Sequence, residues 1–235
     1  MTNILNLLHL ADSAFPIGAH AHSYGLETLV AEGMVTDTAR LRDVLRAHLS
    51  VVLARTDLVA LRWAYDLAAA RDLDGLRGLD AELSALKPVR EWREGSIGAG
   101  RRLLATARGF LDTSQRHGDT EGVLDDMAVL AGDGLIGPHH ALAYGVVGQA
   151  LGIKVDDLAQ AHAFGTVAAA VSAAVRLIPL GQSAAQATLH ALKDDVADAA
   201  YISATHPRDR MGGGLPLVEI AGMRHEYAPA RLFIS

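Results

Sequence analysis

Apolar side chains return every three or four positions from Asp37 to Arg71, where Leu41, Val44, Leu45, His48, Val52 and Leu53 are set among Arg40, Arg42, Asp43 and Arg46. That rhythm gathers one apolar face on an α-helix. Asp37 stands where a side-chain oxygen caps the first free N–H groups. The segment reads as one long helix, or as two that meet at a bend near Thr56–Asp57.

The same rhythm predicts helices over 76–86, from Pro88 to the neighbourhood of Phe110, over 123–130 and from His139 to Leu151. Pro88 and Pro138 can each open a helix, because the first turn has no use for the missing N–H. Gly152 ends the last of these. A further helix starts at Asp156 or its neighbour and is stopped after Ile178 by Pro179; Ser183 then caps one reaching Ile202. Gly118, Gly132, Gly134, Gly152, Pro179 and Gly181 fall between the periodic runs, as loop residues should. No stretch alternates with the two-residue period of a strand. Beyond His206 the chain changes character: Pro207, Gly212–Gly214, Pro216 and Pro229 discourage a long helix. The pattern predicts an all-α, single-domain bundle of roughly eight to ten helices with an irregular C-terminal tail. Residues 1–205 are expected to form the helical core, and 206–235, which end in the apolar Leu232, Phe233 and Ile234 beside Arg231, a partner-binding tail of the same domain.

Composition narrows this picture. With 235 residues, half of them hydrophobic, the chain can build one substantial core without metal or disulfide. It has no cysteine, which excludes a disulfide framework, a thiolate metal site and a cysteine nucleophile. The net charge is −6 with both signs scattered, so the basic stripe of a nucleic-acid binder is missing. Residues 1–10 carry no positive region of the signal-peptide kind. The longest apolar stretch, 163–175, is closed by Arg176 and is shorter than the ~20 residues of a membrane span. These features predict a cytoplasmic chain with no membrane or nucleic-acid partner.

Catalytic signatures are equally scarce. Gly212–Gly214 lacks the lysine and the preceding strand of a phosphate-binding loop. Ser96 lies in Glu94-Gly95-Ser96-Ile97-Gly98, where Glu94 replaces the first glycine of a nucleophile elbow. The pairs Asp125–Asp126, Asp156–Asp157 and Asp194–Asp195 point ~100° apart on a helix and suit helix starts or solvated faces. Glu91 and Glu94 share a face but have Arg90, Arg93 and Arg101 nearby, which favours surface ion pairing. Among eleven histidines, His20 and His22 diverge, as do His139 and His140; His190 with Asp194 has helical ligand spacing but no third partner, and His225-Glu226 lacks the second histidine of a zinc-protease motif. Most histidines are therefore assigned to capping, packing or surface roles.

Five strings in order resemble the UreF family of urease accessory proteins. The first runs from Leu10 through Asp12-Ser13-Ala14-Phe15-Pro16-Ile17-Gly18 to His22-Ser23-Tyr24-Gly25-Leu26-Glu27. The second is Glu91-Trp92-Arg93-Glu94-Gly95-Ser96-Ile97-Gly98, continuing to Arg101. The third is His139-His140 to Tyr144-Gly145, followed by Leu151-Gly152. The fourth is Ser172 to Arg176, then Pro179-Leu180-Gly181-Gln182. The last is Pro216 to Glu219, His225-Glu226 and Arg231-Leu232-Phe233-Ile234-Ser235. The chain departs from the family pattern at His20, where an aromatic residue is frequent, and at Ile234, where a basic residue or methionine is common.

The resemblance implies an all-α homodimer without catalytic residues, cofactor or resident metal. It implies a role in urease maturation: bridging the accessory protein UreD (also called UreH) and the GTPase UreG, regulating GTP hydrolysis by UreG, and supporting nickel insertion into apo-urease. The partner-binding residues implied are Phe15, Pro16, Gly18, His22, Ser23 and Glu27 in the first string, Glu94 and Ser96 in the second, Arg176 and Gln182 in the fourth, and His225, Glu226, Arg231, Leu232 and Phe233 in the last. The tail is expected to become ordered on UreD, with Arg231 near the surface that recruits UreG. Two rival readings are a nickel metallochaperone using histidine ligands and a small helical enzyme using His22, Glu27 and Glu94.

Overall fold

The computed structural model describes residues 4–17, 23–111, 122–228 and 230–234. Within them run α1 (Ile4–Leu10), α2 (Leu26–Ala31), α3 (Thr38–Ala47), α4 (Asp57–Ala69), α5 (Leu73–Leu86), α6 (Arg90–Phe110), α7 (Val123–Gly132), α8 (His140–Ala150), α9 (Val155–Leu177), α10 (Gln182–Ala191), α11 (Lys193–Thr205) and α12 (Pro216–His225). Ten of these span ten residues or more, and no strand occurs among the described residues, so the all-α single-domain expectation holds.

Asp37 caps α3 as its position foretold: its carboxylate accepts the Ala39 and Arg40 N–H groups, both at 2.9 Å. Of the two readings of 37–71, one long helix or two meeting near Thr56–Asp57, the structure has the second. The break is prepared by a π-helical turn at His48–Val52 and a 3₁₀ turn at Leu53–Arg55. Such turns free backbone carbonyls from the regular ladder, and the Arg55 carbonyl accepts the N–H of Gly212 at 3.0 Å.

Two short helices form the axis of the core. α8 is buried without interruption from Ala141 to Gly148, and α4 buries Leu58, Val59, Ala60, Leu61, Ala64 and Ala68 against it. A helix apolar on all sides must be enclosed; α6, α9 and α5 complete the enclosure. The crossing is close because Gly145 has no side chain: a Cβ there would lie 2.3 Å from the Leu61 carbonyl oxygen. α9 is longer than its apolar run and, by length and composition alone, could cross a membrane; 44% of its most apolar window is buried within the fold.

Two elements differ from the sequence reading. The helix expected from Ser183 to Ile202 is two helices that break at Leu192, and Gly181, not Ser183, occupies the N-cap. Leu192 is fully buried, so packing fixes a corner that residue preferences do not announce. The C-terminal tail is not irregular throughout. Pro216 sits in the first turn of the ten-residue α12, a position that tolerates proline, and the glycines lie before it. α12 packs on α2 and α6, and Met211, His225 and Phe233 are buried.

Removing 206–235 would uncover this face and expose the core side of α2 and α6. Since burial of one Phe-sized side chain is worth about 1.5–3 kcal/mol, the truncated chain is expected to melt at a lower temperature in a circular-dichroism scan. Gly145→Ala is expected to destabilise the protein by about 1–3 kcal/mol in urea titration, the cost of overpacking. Gly78→Ala, in the interior of α5 with nothing within 4 Å of the new Cβ, should stabilise it by about 0.5–1 kcal/mol.

Candidate functional site

Helices α2, α6 and α12 and the segment 231–233, the C-terminal strap, meet at one imidazole. Ser23 begins the N-terminal side: its Oγ accepts the Glu27 N–H at 3.4 Å. Tyr24 and Gly25 follow with left-handed backbone, φ 51° and 81°, and turn the chain into α2 with Glu27 facing inward. A Cβ on Gly25 would stand 3.0 Å from the Val218 carbonyl and 3.1 Å from the Trp92 ring, so glycine lets α12 and α6 close on α2.

From α12, His225 enters this corner with no exposed side-chain surface. Its Nε2 lies 2.9 Å from a Glu27 carboxylate oxygen and its Nδ1 2.8 Å from Glu91. The Glu27 carboxylate also accepts the N–H groups of Leu232 and Phe233 at 2.8 and 3.2 Å. Arg231 donates to the second Glu91 oxygen at 2.9 Å. Burial pushes the Glu27 carboxyl up, but the Leu232 N–H, the His225 ring and the Phe233 N–H together hold it below the usual carboxylate range. Arg90 pairs with Glu226, Arg224 pairs with Glu32 at 3.0 Å, and the Arg176 guanidinium lies 4.4 Å over the Phe233 ring.

A second polar cluster lies beneath, around a cavity of about 90 Å³. Lys87 donates to both Asp57 oxygens at 2.8 and 3.0 Å. Burial pushes Asp57 up, yet the Lys87 ammonium holds it at about 2. The His139 ring lies 3.1 Å from Ser96 Oγ and 3.0 Å from Ser84 Oγ, and Ser96 Oγ also accepts the His140 N–H at 3.2 Å. Asp80 accepts the Gly137 and His139 N–H groups and is pushed up to about 6 by burial. Desolvation drives His48, His139 and His162 down to about 4 and His140 to about 3. Thr56 Oγ1, Trp92 Nε1, His140 Nε2 and His162 Nδ1 find no hydrogen-bond partner among the described residues, and all four side chains line this cavity. It shares Tyr24, His140 and His162 with a groove of about 660 Å³ beside α1, α9 and α10. No three potential metal ligands converge among the described residues.

The sequence-assigned residues divide among these places. Glu27, Glu226, His225, Arg231, Leu232, Phe233 and Arg176 come together at the clasp. Glu94 is exposed on α6, 3.9 Å from Arg90, and Pro16 lines the same outer groove as Glu94 and Arg231. Phe15 is buried, with its ring centroid 5.5 Å from His9 and 6.2 Å from Phe110. Gln182 opens α10 on the large groove, and Ser96 belongs to the inner cluster. Gly18 and His22 lie outside the described residues. Glu91, read from sequence as a surface ion-pairing residue, has a side chain only 11% exposed and joins His225 to Arg231. The Asp57–Lys87 pair carried no sequence signal, because the two residues stand 30 positions apart outside any motif.

The four depressed histidines of the inner cluster set the sign of the acid response, against Asp80 alone, whose raised carboxyl favours the fold as pH falls through about 6. A histidine whose folded pKa lies below its unfolded value takes up a proton on unfolding, so it destabilises the fold as pH drops below about 6.5. Depressed Asp57 adds to this below about 4. Urea midpoints are therefore expected to fall steeply from pH 7 to pH 4.5, and His140→Phe or His162→Phe to flatten that slope. Lys87→Met should cost about 3–5 kcal/mol by stranding Asp57, and Asp57→Leu in the same chain should restore most of the loss.

The UreF family model matches residues 35–193. The urease accessory protein UreF of Paenarthrobacter aurescens (strain TC1) is 36% identical over 231 residues, covering 98% of this chain and 97% of that protein. The UreF proteins of Lachnoclostridium phytofermentans and Geobacillus kaustophilus are 34% and 33% identical over 232 residues, each covering 99% of this chain and 98% of the relative. With the family model matching residues 35–193 and relatives matched nearly end to end, the chain belongs to the UreF family of urease accessory proteins.

Proposed function

We propose that this protein is a non-catalytic factor of urease maturation that bridges UreD and UreG, regulates GTP hydrolysis by UreG and supports nickel insertion into apo-urease. The observation that carries the reading is the clasp. Glu27, Glu91, Arg176 and Arg231 come from four separate family strings, and one contact network assembles them. Around it the surface mixes charge with exposed apolar groups: Leu232 is 70% and Ile234 64% exposed, and Leu217, Ile220 and Met223 follow one another along the outer face of α12. Contiguous apolar area of this kind marks a docking face.

The inner cavity supports the nickel role. Its histidines are held neutral by burial, so their ring lone pairs are available to a soft or borderline cation. Single imidazoles spaced along a cavity would bind such an ion weakly, which suits passage better than storage.

In a pull-down with UreD and then UreG, the full chain is expected to capture both. Arg231→Ala should weaken UreG capture by roughly tenfold or more, the scale of an interfacial arginine hot spot, with the helical signal unchanged. The isolated chain should bind no GTP in calorimetry, while hydrolysis by UreG changes in the assembled complex. Normal capture of UreG by the Arg231 variant, or GTP binding by the isolated chain, contradicts the proposal.

A further inference from the structure

We propose that the cavity beneath the clasp is a water-binding site, in which a fixed cluster of waters completes the hydrogen bonds of Thr56, Trp92, His140 and His162. Thr56 Oγ1, Trp92 Nε1, His140 Nε2 and His162 Nδ1 are buried, find no partner among the described residues, and belong to side chains that line this one space. They arrive from four places: the break before α4, and helices α6, α8 and α9. A buried polar atom left unpaired is destabilising, and four of them around one cavity call for a shared partner. Trp92 is the firmest of the four. Its indole has one N–H, no acceptor and no alternative tautomer, so that donor needs an acceptor from outside the side chains.

The occupant has to serve both halves of a hydrogen bond. Trp92 donates, the Thr56 hydroxyl donates or accepts, and each orphaned imidazole nitrogen carries either a proton or a lone pair. The charged groups that line the space oppose one another. Lys87 bonds both Asp57 oxygens, and Glu219 stands at the loop side, where a Cβ on Gly214 would lie 2.7 Å from its carboxylate. A bare anion would meet Asp57 and Glu219; a bare cation would meet Lys87 and the indole N–H. A neutral molecule with donors and acceptors of its own meets no such conflict. Water is that molecule at this size: about 90 Å³ has room for a small cluster, each water taking about 30 Å³. The assignment stands apart from any passage of nickel, since the four atoms need partners whether or not a cation moves through.

The walls hold the cluster in place. His140, Tyr144 and His162 pack on one another, with ring centroids 5.6, 4.9 and 5.0 Å apart. His140 and His162 line both the cavity and the groove beside α9, so water passing between the two has to displace a ring. On the opposite side Gly213, Leu215 and Val218 cover the cavity. Gly213 sits so close to the π-helical turn that a Cβ there would lie 1.9 Å from the Val51 carbonyl oxygen. Waters enclosed in this way reside far longer than those on the surface and move with the protein.

The test uses the full chain labelled with ¹⁵N-tryptophan and ¹⁵N-histidine, without added metal. Trp63→Phe assigns the Trp92 signal, because the chain has two tryptophans and Trp63 lines neither space. The Trp92 indole N–H is expected to cross-relax with water, with opposite signs in the laboratory and rotating frames, the mark of water that tumbles with the protein. Thr56→Val keeps the shape and removes one partner, so that signal should lose intensity. Xenon enters dry apolar cavities, and under xenon pressure the Trp92 and His162 ring signals should not shift. Absent cross-relaxation at Trp92, an undiminished signal in Thr56→Val, or xenon-induced shifts at Trp92 and His162 would each overturn the proposal. The first and last are read on the unsubstituted chain and stand even if the valine variant does not fold.

Discussion

The His225 imidazole, enclosed between the carboxylates of Glu27 and Glu91, ties α12 to α2 and α6. Glu27 stands near the N-terminus, Glu91 on the longest helix of the first half, and His225 on the last helix. A buried carboxylate without partners is costly, and each of these two is given several. Glu27 takes the ring and two strap amides; Glu91 takes the ring and Arg231. The glycine at position 25 and the left-handed backbone before it bring α2 close enough to α12 for these bonds to form.

The clasp rests on a core whose centre is less apolar than its rim suggests. α8 crosses α4 at the Gly145–Leu61 contact and carries His139 and His140 at its start, where they meet Ser96, Asp80 and the Asp57–Lys87 pair. Trp92 links the two levels: its indole lies against Gly25 and Gly222 of the clasp and also lines the inner cavity. A polar interior thus lies directly beneath the clasp.

Much of this was legible in the sequence. The helices over 38–47, 90–110, 140–150 and 155–177 follow from apolar spacing and from breakers at their ends, while the spacing over 37–71 leaves one helix and two equally open. The corner at Leu192 was not legible, because buried packing, and no glycine or proline, makes it. α12 was masked by a proline that proved to be a helix starter. At the site, residues were identifiable string by string, but their meeting was not. Glu27 and His225 are 198 positions apart, and no local pattern records a contact of that range. The arginines beside Glu91 on its helix point to surface ion pairing, whereas its partner His225 comes from the last helix.

The central claim is that the strap belongs to the folded protein through Glu27. Amide hydrogen exchange at Leu232 and Phe233 tests it most directly, in the full chain at neutral pH beside a Glu27→Ala variant. The account predicts that both amides exchange well below unstructured-peptide rates and lose that protection in the variant, while amides of α4 and α8 stay protected. Exchange of Leu232 and Phe233 at unstructured rates in the unsubstituted protein would contradict it.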